Sequence, residues 1–309
     1  MKLNGIHHIT AITGDAPGNV DFYTRVVGLR MVKKTVNQDD PTVYHLFYGD
    51  EHAQPGLDLT FFEYPGAAPG RPGAGMVHRI VWRVGSPAAL EFWAERLGHE
   101  GIESARDGDR LRFADREGLE HELAVVDVPD APLIAEHPEV PAEHALQGFH
   151  GVRAFAVDPE RSRRLLEEGL SFAPAAEGWE ARGDTRGGVY AYDSPPSERA
   201  IQGAGSVHHV AWASRDEEHR AWHDRVLASG AHPTEVIDRH YFRSIYFREP
   251  SGVLFELATP SPGFTVDEPL ETLGESLSIP PKLAPYREEI EAALRPLPYR
   301  RATRPAAAR

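Results

Sequence analysis

The chain has 309 residues and a mass of 34.2 kDa, which exceeds one small domain and suits two. Lys and Arg number 33 against 47 Asp and Glu, and this net charge of −14 argues against nucleic acid or an anionic membrane as a partner, because both need a basic face. There is no cysteine, which excludes disulfides, thiolate-bound metals and a thiol nucleophile, whereas 16 histidines leave nitrogen- and oxygen-ligand metal sites open.

The N-terminal segment, MKLNGIHHIT, has neither the apolar core nor the small-residue cleavage site of a secretory signal peptide. No apolar run approaches the roughly 20 residues that a membrane-spanning helix needs. We therefore expect a cytoplasmic protein without a membrane partner.

Four similar segments divide the chain into repeated units. Each is rich in Val, Ile, Trp or Phe with histidine at its second position, which predicts a strand. They are IHHITAIT from Ile6, VHRIVWRV from Val77, FHGVRAFAV from Phe149 and VHHVAWAS from Val207. A helical stretch that stops at a glycine follows each strand, and two or three short strands complete each unit.

This pattern predicts an α+β fold of four βαβββ modules. Modules one and two are expected to form one domain, residues 1–145, and modules three and four a second, residues 146–262. The proline-bearing stretch Val128–Pro141 near the join is the predicted linker. A proline-rich tail, residues 263–309, holds one amphipathic stretch, Tyr286–Leu294, and its last ten residues are expected to be disordered.

The residue after the repeated histidine differs between the modules. It is His8 in module one, Arg79 in module two, Gly151 in module three and His209 in module four. Neighbouring residues of a strand point to opposite faces, so the repeated histidine is expected to belong to the structural pattern and the following residue to face the other way. A single strand histidine is more often a core residue than a metal ligand.

The last strands of modules two and four carry a carboxylate at matching places, Glu122 and Glu256. A carboxylate inside an apolar strand is costly unless it is ion-paired or metal-bound. An ion pair with Arg79 explains Glu122 without a metal. Glu256 is flanked by Phe255 and Leu257, and it is the stronger ligand candidate.

His8, His209 and Glu256 together indicate a metal site. Two imidazoles and one carboxylate on one face leave coordination positions open, as in non-haem Fe(II) oxygenases. For the aligned trio the metal site is favoured over three unrelated strand residues. Because the ligands come from modules one and four, the site is expected to lie between the two domains.

Other polar residues are weaker candidates. Tyr246, on the strand before Glu256, is either a proton donor in the same cavity or a cross-strand aromatic residue. The cluster Arg239-His240-Tyr241 either orients an anionic substrate or forms an exposed loop. Tyr44, His45 and Tyr48 either line the same cleft or are strand-packing residues, and packing is the simpler explanation. Glu63 falls beyond the place in module one that matches Glu256, so we do not count it as a ligand.

The chain resembles the vicinal oxygen chelate superfamily, which includes glyoxalase I, extradiol dioxygenases and antibiotic-resistance proteins. Within that superfamily it is similar to the hydroquinone ring-cleaving dioxygenases. The resemblance runs over nearly the whole chain. Its segments are HHIT at His7, DFYTRVVGLRMVKKTVN at Asp21, YHLFYGD at Tyr44, EHALQGFHG at Glu143, HHVAWA at His208, DRHYFRSIYFREPSGVLFE at Asp238 and ESLSIPP in the tail.

The resemblance implies the vicinal oxygen chelate fold and an enzyme that cleaves an aromatic ring beside a hydroxyl and inserts both oxygens. The implied metal is Fe(II), with Mn(II) and Zn(II) as alternatives, and the implied partners are a small aromatic substrate and dioxygen. A homo-oligomer is compatible with it. The implied site residues are the ligands His8, His209 and Glu256, the catalytic Tyr246 and Arg239, and His7 and His208 directly behind the ligands. His240 departs from the family, since a relative has a small residue there.

Two alternatives to an extradiol-type dioxygenase acting on hydroquinone or catechol-like rings stay open. A glyoxalase-type isomerase or lyase would use Zn(II), Ni(II) or Mn(II) and a fourth protein ligand, for which Glu63 is the nearby candidate. A metal-free binding protein of the same fold would hold His8, His209 and Glu256 too far apart to share an ion.

Overall fold

A computed structural model describes residues 1–301 and shows four consecutive βαβββ modules, which confirms the predicted fold class. Module one contains β1 (Ile6–Thr13), α1 (Ala16–Val20) with a π-helical continuation (Asp21–Val26), β2 (Arg30–Val36), β3 (Tyr44–Gly49) and β4 (Asp58–Glu63). Module two contains β5 (Val77–Val84), α2 (Pro87–His99), β6 (Ser104–Asp107), β7 (Arg110–Ala114) and β8 (Glu120–Val125).

Modules three and four repeat the pattern. Module three contains β9 (Phe149–Phe155), α3 (Glu160–Arg164) with a π-helical continuation (Leu165–Gly169), β10 (Ala173–Ala175), β11 (Gly178–Arg182) and β12 (Gly187–Asp193). Module four contains β13 (Val207–Ala213), a 3₁₀ turn (Asp216–Glu218), α4 (His219–Ala228), β14 (Ile237–Asp238), β15 (Arg243–Arg248) and β16 (Leu254–Ala258). In the tail, 3₁₀ turns (Phe264–Val266, Leu270–Thr272, Pro281–Tyr286) precede α5 (Arg287–Ala293), which lies within the predicted amphipathic stretch.

Helix ends follow the sequence signals in part. Ser86 is the N-cap residue of α2, and its hydroxyl accepts a hydrogen bond from the Ala89 N–H at 3.3 Å. Gly28 and Gly230 follow their helices with φ of +77° and +90°, a conformation that favours glycine. Two of the strands that directly follow a helix carry little sequence signal, since β6 is exposed throughout and β14 has two residues.

Hydrogen bonding joins the modules in a different grouping from their order along the chain. One eight-stranded sheet has the order β14-β15-β16-β13-β1-β4-β3-β2 and so combines modules four and one. The other has the order β10-β11-β12-β9-β5-β8-β7-β6 and combines modules three and two. The division of the chain into domains at residue 145 stays a prediction. Each sheet contains one module from before residue 145 and one from after it.

The repeated histidine lies at a bulge in every opening strand. The β1–β13 pairing skips His7 on one strand and His208 on the other, and the β5–β9 pairing skips His78 and His150. A bulge inserts an unpaired residue and turns its side chain out of strict alternation. The bulge gives a structural reason for the repeated histidine. At these positions, however, the expected alternation of neighbouring side chains between the two faces is wrong.

A continuous apolar core contains side chains from all four modules. Trp82, Trp93, Trp212 and Trp222 are fully buried in it. No helix within residues 1–301 is long and apolar enough to cross a membrane.

The predicted linker ties the two sheets together. Asp130 pairs with Arg83 in β5, with 2.7 Å between Oδ2 and Nη1, and with Arg182 in β11. Four residues later, the Ile134 carbonyl accepts a hydrogen bond from the Glu51 N–H, next to β3, at 3.0 Å. The stretch is therefore packed into the molecule.

The tail folds back over β2. Fully buried Lys33 places its Nζ 2.6 Å from Asp267 Oδ1 and also contacts Glu268, and the Lys34 Nζ donates to the Leu297 carbonyl at 2.9 Å. These contacts explain how a strand with two adjacent lysines is buried throughout. Of the ten residues predicted to be disordered, 302–309 lie outside the described residues.

Candidate metal centre

His8, His209 and Glu256 lie side by side on one face of the first sheet. His8 is opposite Ala211 in the antiparallel β1–β13 pair, and Glu256 is beside Ala211 in the parallel β13–β16 pair. His209 precedes Ala211 by two residues and so points to the same face. The predicted residues meet within a single sheet, because this sheet joins modules one and four.

The three side chains are as close as donor atoms around one ion. The Nε2 atoms of His8 and His209 are 3.2 Å apart, and they lie 3.2 and 2.9 Å from Glu256 Oε2. Adjacent ligands of an octahedral ion with bonds of about 2.1 Å are themselves about 3.0 Å apart. Within residues 1–301 this is the one group of three or more His, Asp or Glu side chains with such convergent atoms.

The donor set has the protonation pattern that a metal needs. Burial opposes ionisation of Glu256, but the two adjacent imidazoles outweigh it and hold the pKa of Glu256 well below its usual range. Burial lowers the pKa of His209. Glu256 Oε2 is buried and accepts no hydrogen bond, although buried oxygens rarely lack one. An ionised carboxylate oxygen between imidazoles fits a cation.

A hydrogen-bond chain fixes the tautomer of His8. His7 Nε2 lies 3.1 Å from the Thr259 carbonyl, which only accepts, so this nitrogen carries the proton. Burial lowers the pKa of His7 to about 3, so the ring is neutral and its Nδ1 is an acceptor. The His8 Nδ1, 2.9 Å away, must therefore donate, so the neutral form of His8 has its lone pair on Nε2. His208 and His209 repeat the Nδ1–Nδ1 contact at 2.8 Å.

We expect His7→Ala to weaken metal binding about 10- to 100-fold, because the partner that orients His8 is lost. Chelator competition at equilibrium measures the affinity. His78→Ala is the matched control, since His78 occupies the equivalent bulge of β5 beside Arg79 instead of a ligand. Equal metal affinity in the two variants would contradict the orienting role of His7.

Two threonines near the centre escaped the sequence interpretation. Thr10 Oγ1 lies 3.0 Å from His209 Nε2 and 2.8 Å from Thr60 Oγ1, which in turn lies 3.0 Å from His45 Nε2. Thr10 follows His8 by two residues, so strand alternation alone placed it on the same face. Thr60 was harder to find, because its position depends on the parallel β1–β4 register.

That register also locates the candidate fourth ligand, Glu63. In module four, Glu256 pairs with Ala211, which follows His209 by two residues. In module one, Thr60 pairs with Thr10, which follows His8 by two residues, so Thr60 occupies the position that corresponds to Glu256. Glu63 is three residues further along β4 and faces away from the centre, where its Oε1 accepts a hydrogen bond from the Ala16 N–H at 3.2 Å. The fourth ligand of the glyoxalase-type alternative is therefore not at the centre.

The second sheet carries an ion-pair cluster in the corresponding place. Arg79 Nη1 lies 3.4 Å from Glu122 Oε2, which confirms the predicted pair. Arg112 Nε contacts the same oxygen at 2.9 Å, and Arg110 contacts the other one. Glu122 is thus satisfied by arginines where Glu256 faces imidazoles.

A cavity opens over the centre. Phe47, Phe62 and Phe242 form apolar walls, and the candidates Tyr246 and Arg239 line it as well. Other lining residues are His8, His209, Thr35, Asn37, Gln38, Asp39, His45 and Tyr241. Aromatic side chains together with polar groups that converge on one cavity suit a small aromatic ligand that carries hydroxyl groups.

Tyr246 faces the centre directly. It pairs with Glu256 in the β15–β16 ladder, and its ring is 5.8 Å from the ring of His209. Burial and the charge of Glu256 raise the pKa of Tyr246, so its hydroxyl stays protonated near neutral pH. His240 has a φ of +70° and its Nε2 lies 3.5 Å from Asp267 Oδ2; it is not among the cavity-lining residues.

Comparison with known proteins agrees with this fold. A family profile described as the "Glyoxalase/Bleomycin resistance protein/Dioxygenase superfamily" matches residues 5–123 and 133–257. The chain belongs to this superfamily, which confirms the predicted family.

Individual relatives match nearly the full length of the chain. "Putative ring-cleaving dioxygenase MhqA" of Bacillus subtilis is 41% identical and covers 96% of this chain and 100% of the relative. "Chlorohydroquinone/hydroquinone 1,2-dioxygenase" of Sphingobium indicum is 32% identical, with 94% and 95% covered. A crystal structure of a "putative dioxygenase" from Bacillus subtilis superposes with a TM-score of 0.90 at 37% identity, covering 97% of this chain and 99% of the other.

Proposed function

We propose that the protein is an Fe(II)-dependent, ring-cleaving, extradiol-type dioxygenase that acts on hydroquinone or catechol-like dihydroxy-aromatics. The observation that carries the proposal is the convergence of His8, His209 and Glu256 at the base of an aromatic-walled cavity. The names of the full-length relatives support the reaction class.

The donor set favours iron among the predicted metals. Two imidazoles and one carboxylate on one face leave three positions free, the pattern of non-haem Fe(II) oxygenases. Iron bound there would bring the ring and dioxygen together and pass electrons between them. Zn(II) has no redox chemistry, so it would occupy the ligands without supporting this reaction.

The residues around the cavity divide the remaining work. Phe62 and Phe242 line the cavity and offer apolar surface to an aromatic ring, and the Phe242 ring lies 5.1 Å from the ring of His8. Arg239 is 17% exposed and carries a positive charge at the cavity wall, where it stabilises the negative charge of a substrate that has lost a hydroxyl proton. Tyr246, which stays protonated, donates a proton as the ring opens.

The overall reaction balances without a further reductant. The bond between a hydroxyl-bearing carbon and its neighbour breaks, one carbon becoming a carboxylate and the other a carbonyl. Both oxygen atoms of O₂ enter the product, and the ring supplies all four electrons that reduce them. A carboxylate replaces a weakly acidic phenol, so at neutral pH the product carries one more negative charge than the substrate, and the positive charge of Arg239 favours its formation.

Metal analysis and oxygen uptake test the proposal together. Protein reconstituted with Fe(II), Mn(II) or Zn(II) is assayed with a panel of hydroquinones and catechols. We expect one iron per chain and one O₂ consumed per ring opened with Fe(II), and no uptake with Zn(II). Glu63→Ala is the control for the glyoxalase-type alternative, and it should keep both metal and turnover. Absence of bound iron and of oxygen uptake on every substrate would overturn the proposal.

A further inference from the structure

The guanidinium of Arg239 has a partner for each of its three nitrogens. Nη1 and Nη2 each lie 3.0 Å from a different oxygen of Asp39, which makes a two-pronged ion pair. Nε donates to the Tyr246 hydroxyl at 3.3 Å, and the guanidinium carbon lies 5.3 Å from the centre of the Tyr246 ring. Arg239 therefore connects an acidic residue at the cavity mouth to the tyrosine beside the metal ligands.

Asp39 belongs to the opposite wall of the cavity mouth. It lies in the β2–β3 loop of module one, whereas Arg239 follows β14 of module four. Its N–H donates to Asn37 Oδ1 at 3.0 Å, which fixes the turn of the loop. The preceding residue, Gln38, donates through Nε2 to the Arg239 carbonyl at 2.6 Å. The module-one loop therefore contacts both the backbone and the side chain of Arg239.

We propose that Asp39 is a positioning residue for the ring-cleavage reaction, which acts by holding the Arg239 guanidinium so that its Nε stays directed at the Tyr246 hydroxyl. This inference rests on the proposed function of the site. It assigns a role to a loop residue that contacts neither the ligands nor Tyr246.

The hydrogen bonds that the Tyr246 hydroxyl can form explain why the orientation of Arg239 Nε matters. A phenol oxygen accepts one hydrogen bond and keeps its own proton free for a different partner. With Arg239 Nε as the donor, the Tyr246 proton is available to the cavity, where the ring opens. Without Asp39 the long arginine side chain is free to turn toward solvent, and a small misplacement at a reacting site costs up to about 100-fold in rate.

The exposure of Asp39 argues against a role in stability. Its side chain is 72% exposed, and exposed ion pairs contribute little to folding. Arg239 holds the pKa of Asp39 below its usual range, so the carboxylate is ionised near neutral pH. The ordered, two-pronged geometry of this pair is therefore better explained by the orientation of Arg239 than by the folding of the loop.

A double-mutant cycle tests the inference on the iron-loaded enzyme. We expect Asp39→Asn to lower kcat about 10-fold with KM changed less than about 2-fold, because the defect is in orientation and not in substrate binding. In an Arg239→Met background, Asp39→Asn should cause no further loss, since Asp39 acts through Arg239. Asp40→Asn is the control: it removes a charge from the same loop but keeps the acceptor for the Thr42 N–H.

The outcomes separate the inference from the proposed function. An active wild type with an unchanged Asp39→Asn variant would overturn the inference alone. Losses that multiply in the double mutant, or a change confined to KM, would also overturn it, because they indicate an effect independent of Arg239. A wild-type enzyme that consumes no oxygen on any substrate would overturn the proposed function and the inference with it.

Discussion

Glu256→Gln is expected to abolish metal binding and turnover together. The amide has nearly the same shape but no charge, and it would be fully buried. Ser244 Oγ donates to Glu256 Oε1 at 2.5 Å, so Oε2 is the oxygen free for a metal and the one whose charge matters. We expect more than a 100-fold loss of iron affinity, since even the mutation of a residue that only hydrogen-bonds to a ligand lowers metal affinity about 10- to 100-fold. Iron content after dialysis and oxygen uptake measure both effects.

The second sheet supplies the matched control for this substitution. Glu122→Gln changes the carboxylate at the equivalent place, where arginines are the partners. It should leave iron content and turnover unchanged, whatever its effect on thermal stability. A Glu256→Gln protein that retains one iron per chain and full turnover would rule out Glu256 as a ligand.

Tyr246→Phe is expected to lower kcat by about 10²- to 10⁴-fold while the protein still binds iron, because loss of a proton donor affects the chemical step. Since burial and Glu256 raise the pKa of Tyr246, ionisation of this residue should cause no loss of wild-type activity as the pH rises to about 9. Steady-state kinetics over pH, with iron analysis of each preparation, measure both effects.

The control for Tyr246 lies in the same sheet. Tyr44→Phe removes a hydroxyl that donates to the Arg295 carbonyl at 2.7 Å, outside the set of cavity-lining residues. It should leave kcat within about 2-fold of wild type. A Tyr246→Phe enzyme as fast as Tyr44→Phe would show that the ring opens without a proton from Tyr246.

The ligand candidates were visible in the sequence because the modules can be compared position by position. His8 and His209 stand out where Arg79 and Gly151 occupy the same place, and Glu256 stands out by its apolar neighbours. The geometry agrees with these candidates, since their donor atoms converge. Such a comparison detects residues that differ within a repeat, and it needs no knowledge of how the repeats pair.

Residues whose position depends on sheet pairing were not predictable in this way. Consecutive modules were expected to pair, but local patterns carry no information about which opening strands become neighbours. Thr60 and Asp39 reach the site only because module one shares a sheet with module four. The bulges were equally hidden, since a bulge is a property of two paired strands, so the contact between His7 and His8 contradicted simple alternation.

The pairing of the first and last modules has a consequence for synthesis of the chain. The two histidine ligands are 201 residues apart, so β1 leaves the ribosome long before β13 exists. During that interval the edge of β1 is open, and open strand edges favour pairing with other chains. A nascent or shortened chain that lacks module four has only one of the three proposed ligands. Under the proposed function, the complete metal centre therefore forms only in a chain whose last module has been made and folded.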